Sequence, residues 1–247
     1  MPRCTRKVKL VRHTVEPEAL TALGARLCYA GGDVEKLLTA IEQKDQRVFV
    51  EKIMSMGHES VLEHVSFTFL IEGVSRVLLA QLTRHRIASF SVQSQRYVSY
   101  ASGFGYIVPP AIRALGEEAV AEYESQMAQM QSWYEGWQKK LGDAGEKSNE
   151  DARFVLPNAC ETRILMTMNA RELRHFFSLR MCSRAQWEIR QMANSMFEQC
   201  CRVAPAMFRD AGPGCLRGAC PEGEKSCGRA KEIKEARKAF LETENLT

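Results

Sequence analysis

The chain has 247 residues, 45% apolar and 26% charged, and a formal net charge of +4 from 34 basic and 30 acidic side chains. These are the proportions of a soluble globular protein with a sizeable core, and they exclude a disordered chain, a collagen-like repeat and a coiled-coil rod. No apolar run approaches the roughly 18 residues of a membrane helix, the basic start from Met1 to Lys7 leads into no secretory signal, and nine cysteines are too few for a disulfide framework, so reduced thiols and a cytoplasmic setting are expected.

In chain order, Lys7 to Val11 reads as a short strand and Pro17 to Tyr29 as a helix with proline in its first turn. Asp33 to Gln43 and Asp45 to Met56 read as two more helices, the second stopped by Gly57. Val65, Phe67, Phe69 and Ile71 alternate with Ser66, Thr68, Leu70 and Glu72, the period of a half-buried strand. Ser75 is placed to cap a helix running to about Arg84. Ser89 to Tyr100 has no helical period and reads as extended or loop.

Pro109 and Pro110 then open one long helix whose apolar stripe is Ile112, Leu115, Ala119, Tyr123, Met127, Met130, Tyr134, Trp137 and Leu141. About 30 residues make a rod of roughly 45 Å, a length that suits an oligomer interface. Gly142 to Asn149 is a polar break. Thr162 to Met168 reads as a strand, and Asn169 to Arg180 and Arg184 to Arg202 as helices. Strands set among long helices without a βαβ rhythm predict an α+β fold. The chain is expected to form one domain over 1–247, with a Cys-rich segment at about 212–228 and a charged helical tail at 229–247.

Charge distribution says more than the total. Gly73 to Gly116 contains no Asp or Glu but five arginines, Arg76, Arg84, Arg86, Arg96 and Arg113. Leu173 to Trp187 is also acid-free and carries Arg174, Arg180 and Arg184. Such segments need an anion, or acids from elsewhere in the fold, and arginine's planar fork suits phosphate or carboxylate. The sharpest local pattern is Arg84-His85-Arg86, seven residues, then Ser94-Gln95-Arg96. On a strand, positions 94 and 96 face one side, so hydroxyl and guanidinium can meet one ligand. Gly57-His58-Glu59-Ser60-Val61-Leu62-Glu63-His64 is a second pattern; its histidines lack the i, i+4 spacing of a zinc helix. In the third, Asn169-Ala170-Arg171-Glu172-Leu173-Arg174-His175, helical spacing puts Arg171, His175 and Ser178 on one face. Asn169 at the entrance leaves backbone N–H groups suited to phosphate.

Together these motifs resemble the flavin-dependent thymidylate synthase family, in order and over about Val8 to Phe208, with Arg180 ahead of Ala185-Gln186-Trp187-Glu188 as a further landmark. The resemblance implies a curved, mainly antiparallel sheet flanked by long helices. It implies synthesis of dTMP from dUMP, with 5,10-methylenetetrahydrofolate as carbon donor, FAD as redox carrier and NADPH as reductant, in a homotetramer whose active sites are shared between subunits. FAD contacts fall on Ser60, Arg84, His85, Arg86, Asn169, Arg171 and His175, with His58 nearby. dUMP contacts fall on Gln81, Arg84, Ser94, Gln95, Arg96 and Arg153, with Val92 and Gln93 in the same segment. Arg180 is the residue that polarises the uracil ring. No cysteine nucleophile and no metal are implied.

The residue types suit that chemistry. C5 of uracil becomes a nucleophile only as negative charge develops on the ring carbonyls and N3, and a fixed guanidinium stabilises that charge. Ser94 has no base at an obvious offset to activate it and reads as a ligand contact. The chain departs from the family at Ser91 and Val92, where Asn and Glu are frequent, at Arg184 in place of a His, and at His175 in place of an Asn seen in some members. Cys200, Cys201, Cys215, Cys220 and Cys227 lie outside the family's motifs. They form no CxxC pair, and a reduced glycine-rich loop, a zinc site or a Cys215–Cys220 pair are the three readings. The competing function is a single-stranded nucleic-acid module, in which Phe90, Tyr97, Tyr100 and Tyr106 stack on bases beside the arginines.

Overall fold

The computed structural model describes residues 1–246. Its elements run β1 (Lys7–His13), α1 (Pro17–Leu27), α2 (Val34–Glu42), α3 (Arg47–Ser55), β2 (Ser66–Ser75), α4 (Arg76–Leu82), β3 (Ala88–Val92), α5 (Pro110–Ala114), α6 (Glu117–Lys140), α7 (Glu146–Ala152), β4 (Glu161–Asn169), α8 (Ala170–Arg180), α9 (Trp187–Val203), α10 (Pro205–Phe208) and α11 (Ala230–Thr243). The strands form an open antiparallel sheet in the order β1-β2-β4-β3, and the fold is α+β.

Local chemistry explains the boundaries. Asp33, Ser75 and Asn169 each turn a side-chain oxygen onto the second or third N–H of the helix that follows. Gly57 takes φ 76°, which ends the chain's helical path after α3. Glu59–His64 is a 3-10 turn rather than a direct lead into β2. Phe67, Phe69 and Ile71 point inward on β2, as their alternation predicts, and Thr162, Ile164, Met166 and Met168 do so on β4.

Four expectations are corrected. The helix opened at Pro110 is two helices, because Gly116 at φ 103° leaves the helical region between α5 and α6. The buried stripe of α6 is Val120, Met127, Gln131, Tyr134 and Gln138, and Trp133 and Trp137 stay half exposed. The two glutamines are buried because they are partnered: Gln131 Nε2 donates to Tyr100 O at 2.8 Å, and Gln138 Nε2 donates to Asn149 Oδ1 at 2.6 Å. The polar break at 142–149 contains the start of α7, and the last long helix begins at Trp187, where the Gln186 side chain accepts from two N–H groups. The charged tail is helical as α11; Thr247, its last residue, lies outside the described residues.

The chain divides into two compact units. One comprises Met1–Lys7, Leu70–Arg84 and Phe90–Leu165. Its core is Tyr100, Phe104, Tyr106, Val120, Met127 and Tyr134. The other comprises Val8–Phe69, His85–Ser89 and Met166–Thr247. Its core is a run of edge-to-face rings, Phe67 on Phe208, Phe208 on Phe177 and Phe177 on Phe197, with centroids 5.3, 6.0 and 5.8 Å apart.

Candidate functional site

In the second unit, α8 opens onto a cleft of about 620 Å³, lined among others by Asn169, Arg171, Glu172, His175, Ser178 and Arg217. The i, i+4, i+7 face predicted from the sequence is therefore the cleft wall. Arg171 pairs with Glu63, both about half exposed. Arg174 also lines the cleft, but its guanidinium is buried and turned inward. It is 4% exposed and donates to Glu59, Asp210 and the Met207 carbonyl. Asn169 does not leave the helix entrance bare: its Oδ1 accepts from Glu172 N at 2.8 Å, and Ala170 N donates to Val65 O.

His85 and Arg180 meet behind this wall. His85 is 5% exposed, and its ring stands edge-on to Phe176, centroids 4.9 Å apart. His85 Nδ1 lies 3.0 Å from Glu172 Oε1, and Arg180 Nε donates to His85 Nε2 at 3.0 Å. Burial holds the imidazole pKa below its ordinary value; the Arg180 charge adds to that effect, and Glu172 opposes it. Arg86 is exposed beyond His85, and Ile87 reaches the cleft. His58 and Ser60 are exposed on either side of Glu59, which also lines it.

In the first unit, β3 ends at Val92, and the half-buried Gln93 donates its N–H to Arg163 O at 2.9 Å. The strand alternation expected to align Ser94 with Arg96 is absent. Ser94 instead heads a turn, its Oγ accepting from Arg96 N at 3.1 Å and Tyr97 N at 3.4 Å. Gln95 is turned inward, its Nε2 3.5 Å from Cys160 Sγ. The acids that the Arg96 stretch lacks come from α7. Arg96 Nη2 is 2.6 Å from Glu146, and its Nε is 3.1 Å from Glu150. Arg153 Nε donates to the Glu150 carbonyl at 3.0 Å, so one residue gathers both arginines. Gln81 is half-buried in α4, and Arg84 is exposed just past it. Tyr100 and Tyr106 are core residues, 7% and 3% exposed, so they offer bases no stacking face.

Cys182, Cys215, Cys220 and Cys227 line a second cavity, of about 450 Å³, in the second unit. All nine thiols are free, and among the described residues no three His, Cys, Asp or Glu side chains group as a metal site. Arg184 donates to Lys225 O at 2.6 Å and so ties α9's approach to this segment. Sequence reasoning missed Glu172 and Arg217 as cleft residues. Glu172 meets His85 across 87 positions, which no local periodicity signals. Arg217 sits in an irregular segment.

Comparison with known proteins places this geometry. A family profile described as "Thymidylate synthase complementing protein" matches residues 9–206. A flavin-dependent thymidylate synthase of Geobacter sulfurreducens is 54% identical over 92% of this chain and 96% of its own length. One of Clostridium tetani is 48% identical over 92% and 95%. Among solved structures, a UMP/dUMP methylase, PolB, from Streptomyces cacaoi bound with 5-Br dUMP superposes with TM-score 0.66 at 26% identity, covering 83% of this chain and 94% of that one.

Proposed function

Because the chain belongs to the flavin-dependent thymidylate synthase family, we propose that it converts dUMP to dTMP with FAD as redox carrier, NADPH as reductant and 5,10-methylenetetrahydrofolate as carbon donor. Flavin-dependent thymidylate synthesis is its activity, and it is a methyltransferase. The observation that carries the finer reading is the assembly of Asn169, Arg171, His175 and Ser178 on one cleft of ligand-pocket size.

That donor set fits FAD. The Arg171–Glu63 pair is exposed and therefore weak, so a diphosphate takes the guanidinium from Glu63 at little cost. When bound, the flavin supplies the hydride chemistry. Ser60, His58, Arg84 and Arg86 complete the proposed cofactor contacts. The dUMP phosphate is assigned to Arg84, Ser94 and Arg96, with Arg153 held beside Arg96 by Glu150; Gln81, Val92, Gln93 and Gln95 border the nucleotide. Arg180 carries the chemical step. Its permanent charge lowers the energy of the uracil ring as negative charge builds on the carbonyls and N3, which turns C5 toward the incoming carbon.

The exposed Trp133 and Trp137 on α6, continued by Leu141 just past its end, support the proposed homotetramer with shared active sites. We place the enzyme in the cytoplasm; no described helix is long and apolar enough to cross a membrane.

The test is the visible spectrum of purified protein, then NADPH oxidation with and without dUMP. Flavin absorbance with dUMP-stimulated oxidation is expected. A protein that binds no FAD on reconstitution, or oxidises NADPH indifferently to dUMP, overturns the reading.

A further inference from the structure

Glu172, His85 and Arg180 form one hydrogen-bonded chain within the second unit, with successive links of 3.0 and 3.0 Å. Donor and acceptor types fix its protons. A guanidinium only donates, so His85 Nε2 must present its lone pair to Arg180 Nε. The proton of the neutral ring is then on Nδ1 and points at an ionised Glu172. His85 and Glu172 are 5% and 8% exposed, so water competes little for the link between them, and the link to Arg180 is part-buried.

We infer that Glu172 and His85 are positioning residues for Arg180: the carboxylate selects the imidazole tautomer, and the imidazole lone pair holds the guanidinium by its Nε edge. This rests on the ring-polarising role given to Arg180 above. An arginine side chain has many rotamers, and a guanidinium that stabilises developing charge must be in place before the charge appears. Two links, one buried and one part-buried, anchored on α8, the helix that carries both Glu172 and Arg180, remove that freedom.

The chain also has a built-in acid limit. A proton on Nε2 sets two N–H donors, both cationic, against each other, and the hold on Arg180 is lost. The titratable and charged groups that bear on His85 are Glu172, Arg180 and His175, the last with its ring centroid 6.1 Å away. Glu172 favours the proton; burial, Arg180 and His175 disfavour it. The neutral, competent ring therefore persists to a pH below the ordinary histidine value.

The experiment compares three variants of the full-length, FAD-loaded enzyme. His85→Gln keeps an amide oxygen at the position of Nε2 and can still accept from Arg180. His85→Asn reaches only the Nδ1 position and cannot. At saturating FAD, kcat of His85→Asn should fall about 10–100-fold below that of His85→Gln, the scale of removing an orienting partner, with KM for dUMP moved less. Glu172→Gln should shift the acid limb of kcat to lower pH, because the group that raises the histidine pKa is gone; a merely structural carboxylate would leave the limb in place. Equal losses in the Gln and Asn variants, or an unmoved limb, overturn the proposal. Histidine 15N NMR of the wild-type protein decides independently of activity and of whether any variant folds. His85, assigned by its absence in His85→Gln, should show the Nδ1–H tautomer and a pKa below 6.5. An Nε2–H tautomer or an ordinary pKa refutes the chain even in an active enzyme, whereas a wild-type protein without dUMP-dependent turnover refutes the functional reading and leaves this measurement standing.

Discussion

Arg180 carries its charge at every accessible pH, so its value to a reaction lies in where the guanidinium is held. Arg180→Ala should cut turnover by about two to three orders of magnitude, the scale of losing one preorganised donor, while FAD stays bound; steady-state kinetics with a flavin spectrum checks both. Arg96 is a different case. Its pairs with Glu146 and Glu150 are 43–47% exposed and worth at most about 1 kcal/mol, so a phosphate competes with them successfully. Arg96→Ala should weaken dUMP binding by about 1.5–3 kcal/mol, the worth of a charged hydrogen bond, and Glu146→Gln should tighten it, since one competitor is gone. Calorimetric titration with dUMP reads both signs. Among the thiols, Cys227 is held below the usual range by the Arg229 backbone N–H, with help from the Ser183 hydroxyl, whereas burial pushes Cys200 well up. Alkylation mapped by mass spectrometry should reach Cys227 long before Cys200. At this scale the sequence displayed the chemistry wherever a motif was contiguous, as in Arg84 to Arg86 or Asn169 to His175. It concealed the inward turn of Arg174 and the Glu172–His85 link, because both depend on partners 33 to 115 positions away.

Elements were legible where one physical rule acted alone. The period-two run of β2 needs only a buried face and a wet one, and the caps at Asp33, Ser75 and Asn169 need only a short side-chain acceptor at a helix start. The helices after Pro110 were read wrongly because an apolar stripe continues across Gly116 while the backbone does not, and because Gln131 and Gln138 look like surface residues until their buried partners are known. Two glycines show what a backbone angle costs with and without crowding. Gly116 has φ 103° and open space around its missing Cβ. Gly116→Ala should therefore lose only the conformational strain, about 1–3 kcal/mol. Gly73 has φ 67°, and a Cβ there would fall 2.0 Å from the Thr5 carbonyl oxygen. Gly73→Ala adds a backbone clash to the strain and should cost roughly 3 kcal/mol or more. Urea melts of the two variants test the ordering, and equal losses would mean that the chain at Thr5, ahead of β1, gives way freely.

For the whole molecule, the groups kept in one protonation state by burial bound the pH range of stability. His85 is neutral in the fold with its pKa lowered. The unfolded chain therefore takes up its proton first, and stability falls as pH drops below about 6.5, until the folded pKa is reached. Asp210 is pushed up by burial but pulled further down by Arg174, for a net lowering; its contribution is present above about pH 4 and is lost below that. On the alkaline side, burial raises the thiols of Cys160 and Cys201 to about 11 from 9.0. Between those values the unfolded chain loses protons that the folded chain keeps, so each such thiol removes up to about 1.4 kcal/mol per pH unit. The curve should thus be a plateau from about pH 6.5 to 9 with a shoulder on each side. Denaturant midpoints at pH 5, 7.5 and 10 locate the shoulders. The acid one is specific enough to assign: in His85→Gln no group titrates at that site, so the loss between pH 7.5 and 5 should shrink relative to wild type, whereas the alkaline loss should not change. An acid shoulder that persists at full size in that variant would belong to other groups and would remove His85 from the account of acid stability.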